Sequence, residues 1–406
     1  MDKERFIARI NSMCIYSLEK LEAIKALKKM ISAKDGLELA SAWSDFFKAL
    51  CEEGYADNFA GYISKEILED DNVFSRSMSS SNPLPSNVIR AVKRDLDILQ
   101  DISQLKPNDF YDIKDSFIKE LPLWSTGEVQ KPFIGRWSDC IDILSAYHRE
   151  NGCGIFAKYK AFSWRDRHIM PIEYTNPIKL TDLKSYEYQR GLVVDNTVSF
   201  IKGLPANNAL LYGDRGTGKS STVHAILNEF ASCGLRMVEM PKSAINEFPL
   251  LIKELSSINL KFIIFIDDLS FSAGDDSFAE LKAALEGGLS AKRPNMLIYA
   301  TSNLRHLVRE KFSDRDGDEL HAGDTMQEQL SLSDRFGLSV TFINPDRLRY
   351  FEILDGIAKD RGLDVDFEKL HRQGEQWALE RGGRSPRVGK QFINIVEANI
   401  KQGLEW

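Results

Sequence analysis

Cysteine is scarce in this chain, and what there is does not cluster. Cys14, Cys51, Cys140, Cys153 and Cys233 are odd in number, far apart and without a Cys-x-x-Cys pair. That excludes a disulfide framework and a zinc ribbon and fits a reducing compartment. Histidine is equally sparse: His148, His168, His224, His306, His321 and His371 show no metal-ligand spacing, so each defaults to a structural role. Long apolar runs are missing too. No stretch approaches the roughly 18 residues that span a bilayer, and the opening Met1-Asp2-Lys3-Glu4-Arg5 has none of the apolar core of a signal peptide. The expectation is a cytoplasmic protein with no membrane partner. Basic charge is not in excess: 53 Lys and Arg face 60 Asp and Glu, a net charge of −7, which argues against a dominant basic face for duplex DNA. The rest is ordinary for a globular protein. The chain is 43% hydrophobic and 28% charged over 406 residues, enough for two or three domains with proper cores.

One stretch organises the chain. Ala209 to Tyr212 is an apolar run that reads as a buried strand, it ends at Gly213, and a helical pattern runs on through Phe230. Between them Gly213-Asp214-Arg215-Gly216-Thr217-Gly218-Lys219-Ser220 matches Gly-x-x-x-x-Gly-Lys-Ser, the phosphate-binding P-loop, in the strand-to-helix setting it requires. The residue types follow from the chemistry. Glycines let backbone N–H groups approach phosphates without Cβ interference, and the helix N-terminus adds partial positive charge. Lys219 supplies a point charge for the β- and γ-phosphates, and the Ser220 hydroxyl can ligate magnesium. Gly213 through Ser221 are therefore the expected nucleotide-binding residues, with ATP and magnesium as the cofactors.

From Asn176 strands and helices alternate, as in a parallel α/β domain. Met237 to Met240 reads as a second strand, Lys261 to Ile266 as a third buried on both faces, Met296 to Asn303 as a fourth and Val340 to Phe342 as a fifth. The third strand ends in Asp267 and Asp268. A carboxylate at the end of a buried strand beside the P-loop strand suits a magnesium shell, a role for Asp267, and leaves Asp268 to polarise an attacking water. Asn303 ends the fourth strand, where its amide could hydrogen-bond the lytic water and a γ-phosphate oxygen; alone, it reads equally as a turn former. Arg335, in Ser331-Leu-Ser-Asp-Arg-Phe-Gly337, could reach a neighbouring subunit's γ-phosphate or simply pair with a carboxylate. Ser313 to Glu319 is rich in carboxylates, but its glycine is misplaced for an EF-hand and it reads as a solvated loop. After Pro345 the chain is wholly helical, with Ser385-Pro386 a cap followed by proline at the first helical position. Arg384 and Arg387 flank that start; one of them could lean over the nucleotide, and taken alone they read equally as surface residues.

The N-terminal third reads as mainly helical. Ile15, Leu18, Leu21, Ile24, Leu27 and Ile31 recur at helical steps, with Lys25, Lys28 and Lys29 on the other side as a solvated face. Residues 146–175 differ in character. Phe156, Tyr159, Phe162 and Trp164 interleave with Lys158, Lys160 and Arg165, a mix that could stack on single-stranded nucleic acid or form an amphipathic hairpin packed on the core. Packing is the preferred reading. The expected organisation is a helical domain over 1–145, an aromatic and basic connector over 146–175, an α/β nucleotide-binding core over 176–344 and a helical lid over 345–406.

Taken in order, Gly213-x4-Gly-Lys-Ser, Asp267-Asp268, Asn303, Asp334-Arg335-Phe336 and Arg387 resemble an AAA+ ATPase. The resemblance is closer still to a bacterial branch catalogued as domain of unknown function 815, carried by Leu204-Pro-Ala-Asn-Asn-Ala-Leu-Leu-Tyr-Gly213, Asp267-Asp-Leu-Ser-Phe271, Tyr299-Ala-Thr-Ser-Asn303 and Leu332-Ser-Asp-Arg-Phe-Gly337. It implies a five-stranded parallel sheet in the order 5-1-4-3-2 with a C-terminal helical lid. It also implies that Asp267 is the magnesium-side carboxylate, Asn303 the first sensor, Arg335 a finger acting in trans within a homo-oligomer, and Arg387 the second sensor. Ile178 and Tyr186 would line the adenine pocket. Asp268 stands where many AAA+ proteins carry Glu, which implies slow hydrolysis. The leading expectation is an oligomeric ATPase that remodels or loads a macromolecular client. The alternative is a nucleotide-gated adaptor or loader, for instance of single-stranded nucleic acid.

Overall fold

A computed structural model describes residues 2–110, 116–271, 276–286, 295–303 and 335–406. They fall into two compact units, Met1–Lys158 with Ile258–Leu260, and Tyr159–Ser257 with Lys261–Trp406. The acidic loop at Ser313 to Glu319 and Asp334 lie outside the described residues.

The first unit is helical: α1 (Lys3–Asn11), α2 (Glu22–Ser32), α3 (Gly36–Glu52), α4 (Phe59–Glu69), α5 (Val73–Ser79), α6 (Ser86–Ser103), α7 (Ile141–Asn151) and α8 (Ile155–Lys158). Short polar side chains start these helices where the sequence offers them. Asp35 accepts from Glu38 N, Asn58 from Gly61 N, and Asn72 forms a reciprocal capping box with Ser75. The core is knit by large aromatics, with Trp124 packed edge-on against Trp43 and Phe46 at ring separations of 4.8 and 4.9 Å. Both indoles find acceptors, Trp43 Nε1 donating to Pro122 O and Trp124 Nε1 to Leu105 O.

Asp95 of α6 is fully buried, and its Oδ2 accepts from the backbone N–H groups of Cys14, Ile15 and Tyr16. One carboxylate thus satisfies three donors of a segment outside regular structure. Asp95→Ala is expected to destabilise the protein by about 3 kcal/mol, because three charge-assisted bonds are lost and the buried Tyr16 N–H is left without its acceptor. A drop in the urea midpoint checks this; an unchanged midpoint would contradict it.

The second unit holds a seven-stranded sheet. Its strands are β1 (Ala161–Arg165), β2 (His168–Pro171), β3 (Ala209–Gly213), β4 (Leu235–Glu239), β5 (Lys261–Ile266), β6 (Met296–Ser302) and β7 (Leu338–Phe342), in the order β2-β1-β4-β5-β6-β3-β7. All neighbours are parallel except β1 and β2. The five strands read from the sequence are β3 to β7, in the expected spatial order. The sheet is wider than expected, because residues 161–171, expected in a connector, supply two more strands. Asp166 and Arg167 both take positive φ (50° and 62°), making the two-residue turn that closes this hairpin, and β1 then pairs with β4.

Helices α9 (Glu187–Ile201) and α10 (Lys219–Phe230) cover one sheet face. Val193, Phe200, Val223 and Ile226 meet Leu211, Met237, Ile263, Phe265, Tyr299 and Val340 in one core. The intervening strand residues Leu210, Val238, Ile264 and Ile298 are buried on the opposite face. Helices α11 (Phe248–Leu255) and α12 (Asp276–Glu286) follow β4 and β5. After the sheet come α13 (Arg347–Asp360), α14 (Phe367–Glu380) and α15 (Pro386–Gln402), packed around Tyr350, Leu354, Leu370, Phe392 and Ile393. Ser385 caps α15 by accepting from Val388 N, and Pro386 opens it, as the sequence indicated. Among the described residues no helix is long and apolar enough to cross a membrane.

Candidate functional site

The loop after β3 is shaped by what its glycines avoid. Gly213 has φ +124°, and a Cβ there would lie 2.0 Å from the Phe342 carbonyl oxygen. Gly216 has φ +77°, and a Cβ would lie 2.8 Å from Ser385 Oγ and 3.2 Å from Arg387 Cβ at the start of α15. The loop thus passes closely under the C-terminal bundle, and Arg387 N donates to Gly216 O at 3.2 Å. Asp214 ties the loop to the end of β7, its N–H donating to Phe342 O and its Oδ2 accepting from Asn344 N.

A cleft of about 990 Å³ opens between the loop and the bundle. Residues 215–222 line it, together with Asp267, Asp268, Thr301, Asn303, Ile178, Tyr186, Arg387 and Lys390. Gly213 and Asp214 shape the loop from behind and are not among the lining residues. The N-terminus of α10 faces the cleft through Lys219 and Ser220, a setting that favours anions.

Five of the expected residues form two hydrogen-bonded groups, which Thr301 links by donating to Asp267 Oδ1 and accepting from Asp268 N. Lys219 Nζ donates to Gly213 O (2.9 Å), Asp214 O (2.6 Å) and Asn303 Oδ1 (3.1 Å). Burial holds its ammonium below the ordinary lysine value, while Asp214, Asp267 and Asp268 pull the other way. Asn303 Nδ2 donates to Asp268 Oδ1 at 2.7 Å, so a single amide bridges the lysine and the carboxylate. Ser220 Oγ donates to Asp267 Oδ1 at 2.6 Å. This hydroxyl and carboxylate are hard oxygen donors of the kind magnesium takes, and in a cleft this size phosphate oxygens and waters can complete its coordination.

On the far wall, Asn228 of α10 donates to the carbonyls of Asn176 and Ile178, both at 2.8 Å, and fixes the backbone that carries Ile178. Tyr186 sits at positive φ before α9, its hydroxyl donating to Ile343 O at 2.7 Å and its ring 5.4 Å from Phe342. Burial and the nearby Asp214 push its phenol well above the ordinary tyrosine value.

The two candidate lid arginines part company. Arg384 is held by Glu375 within the bundle through Nε and Nη2, and that pairing lowers the Glu375 carboxyl. Arg387 is exposed and lines the cleft. Arg335 is elsewhere: it precedes the amino end of β7, whereas the cleft lies at the strands' carboxyl ends, and it is not among the lining residues. Sequence reasoning also missed residues. Thr301, Lys184, Arg190, Arg361 and Lys390 line the cleft; Thr301, Lys184 and Lys390 lie beside residues the sequence had marked, Arg190 and Arg361 do not. In the hairpin, Phe162 and Trp164 are buried, and Trp164 Nε1 donates to Glu247 Oε2 at 2.7 Å, so neither ring offers a face to a nucleobase.

Strand order separates the P-loop folds from one another. Here the P-loop strand lies between β7 and β6 and a helical bundle follows the sheet, the order that the resemblance to AAA+ ATPases implies. The chain belongs to the family described as protein of unknown function DUF815, which matches residues 157–400. Among solved structures it is similar to the Aeropyrum pernix ORC1 protein, determined in complex with DNA. That similarity has 17% identity and a TM-score of 0.39 and covers 54% of this chain and 61% of that one. No curated protein matches.

Proposed function

We propose that this chain is a magnesium-dependent ATPase that works as a homo-oligomer and couples hydrolysis to remodelling or loading a macromolecular client. The observation that carries the reading is the convergence of Lys219, Ser220, Asp267, Asp268 and Asn303 on one cleft at the head of α10. In this reading the backbone of residues 215–221 cradles the phosphates, Lys219 meets the β- and γ-oxygens, and Ser220 with Asp267 holds magnesium, which supplies charge neutralisation. Asp268 orients a water and takes its proton as the water oxygen bonds to the γ-phosphorus. The bond to the bridging oxygen breaks, and ADP leaves. Asn303 steadies that water, and Arg387 reports the γ-phosphate to the bundle. Ile178 and Tyr186 bound the base.

Arg335 acts on a neighbour's nucleotide in this reading. Parallel strands rise about 3.3 Å per residue, so the four steps along β7 alone put roughly 13 Å between Arg335's end of the strand and its own cleft.

Asp268→Asn keeps the shape and removes the base. It is expected to leave ATP binding intact and to lower turnover by about 10²–10⁴-fold, read by phosphate release under saturating nucleotide. Wild-type turnover in that variant would remove Asp268 from the mechanism.

A further inference from the structure

Thr301 of β6 is a buried residue whose hydroxyl and carbonyl both bond to one short segment. Its hydroxyl donates to Asp267 Oδ1 and accepts from Asp268 N at 3.0 Å, and its carbonyl accepts from Leu269 N at 2.7 Å. Three successive residues at the end of β5 are thereby stitched to β6 by one side chain and its own backbone. The hydroxyl has one proton and accepts as well, so a single Oγ serves both the carboxylate and the amide. Asp267 Oδ1 is met by Ser220 from one side and Thr301 from the other.

The middle residue of that segment, Asp268, lies at φ +50°. A side chain in the left-handed region is strained and persists where its surroundings over-determine it. Here the surroundings are the Thr301 hydroxyl on its amide and Asn303 Nδ2 on its carboxylate at 2.7 Å. The backbone conformation decides where a carboxylate one methylene shorter than glutamate arrives.

We propose that Thr301 is a positioning residue that holds Asp268 in the left-handed conformation, so that backbone geometry supplies the reach its short side chain lacks. The role rests on reading the cleft as an ATPase site. Asp267 and Asp268 are set by one hydroxyl, so removing it leaves the phosphate cradle around Lys219 in place and disturbs only the carboxylates.

The test uses the full chain carrying Thr301→Val, which keeps the shape and loses the hydroxyl, and Thr301→Ser, which keeps the hydroxyl. A displacement of about 1 Å at a reacting group costs about 10²-fold. In Thr301→Val, kcat is therefore expected to fall about 10–100-fold, with affinity for a fluorescent ATP analogue unchanged. In the nucleotide-free protein the Asp268 amide is expected to exchange its hydrogen faster. Thr301→Ser should recover both properties. Asp268→Glu should be slower than wild type, because the longer acid overshoots from a left-handed backbone. The proposal is overturned by wild-type kcat and Asp268 exchange in Thr301→Val, by a parallel loss of nucleotide affinity there, or by an Asp268→Glu enzyme as fast as wild type. A wild-type chain that hydrolyses no ATP would defeat the ATPase reading, while the exchange measurement would still decide whether Thr301 holds Asp268.

Discussion

Arg335→Ala is expected to slow ATP hydrolysis by about 10³–10⁵-fold, the range an arginine finger contributes in other NTPases, while leaving nucleotide affinity unchanged. The expectation joins two observations. Arg335 belongs to the approach to β7 and is absent from the residues lining its own cleft. Lys219, Asp268 and Asn303, which the proposed reading assigns to hydrolysis, line that cleft. In the proposed reading a guanidinium delivered by a second copy would complete the charge stabilisation that loosens the γ-phosphoryl group. Two further results follow. Specific activity should rise with protein concentration until assembly saturates. Mixing Arg335→Ala with Lys219→Ala chains should restore part of the activity, because each supplies what the other lacks. Concentration-independent activity, or an Arg335→Ala enzyme at wild-type rate, would place the reaction within a single chain.

Lys219→Ala should abolish nucleotide binding rather than slow a later step. The ammonium is 6% exposed and held at the head of α10 by two loop carbonyls and the Asn303 amide oxygen, acceptors that phosphate oxygens would replace. A unit charge about 4 Å from a phosphate oxygen contributes roughly 4 kcal/mol at the effective dielectric of such sites, or about a thousandfold in affinity. Lys219→Arg should do little better, since a planar fork cannot replace a compact ammonium at those acceptors. Titration with ATP and magnesium reads the result. Retained affinity in Lys219→Ala would mean that the triphosphate lies somewhere other than the head of α10.

Local signals carried most of the second unit. Apolar runs such as Phe262 to Ile266 announce buried parallel strands, and the P-loop and Ser385-Pro386 mark their own elements. The packed hairpin over residues 161–171 was legible, but its membership of the sheet was not, because its pattern mixes aromatic and basic residues. What turns Trp164 inward is a carboxylate at Glu247, far along the chain. Thr301 and Asn228 were silent for the same reason: an isolated Thr or Asn says nothing until a distant partner meets it. The choice between Arg384 and Arg387 lay beyond the sequence as well, since it turns on which guanidinium Glu375 captures. Asp268 shows the limit from the other side. Its identity was plain and implied a shortened reach, but its left-handed backbone, which alters where that carboxylate points, is legible only in three dimensions.

The most direct test is calorimetric titration of the purified chain with ATP in the presence of magnesium. Saturable binding of one nucleotide per chain, lost in Lys219→Ala and kept in Asp268→Asn, is the predicted result. No heat of binding at millimolar nucleotide, or binding indifferent to Lys219, would contradict it.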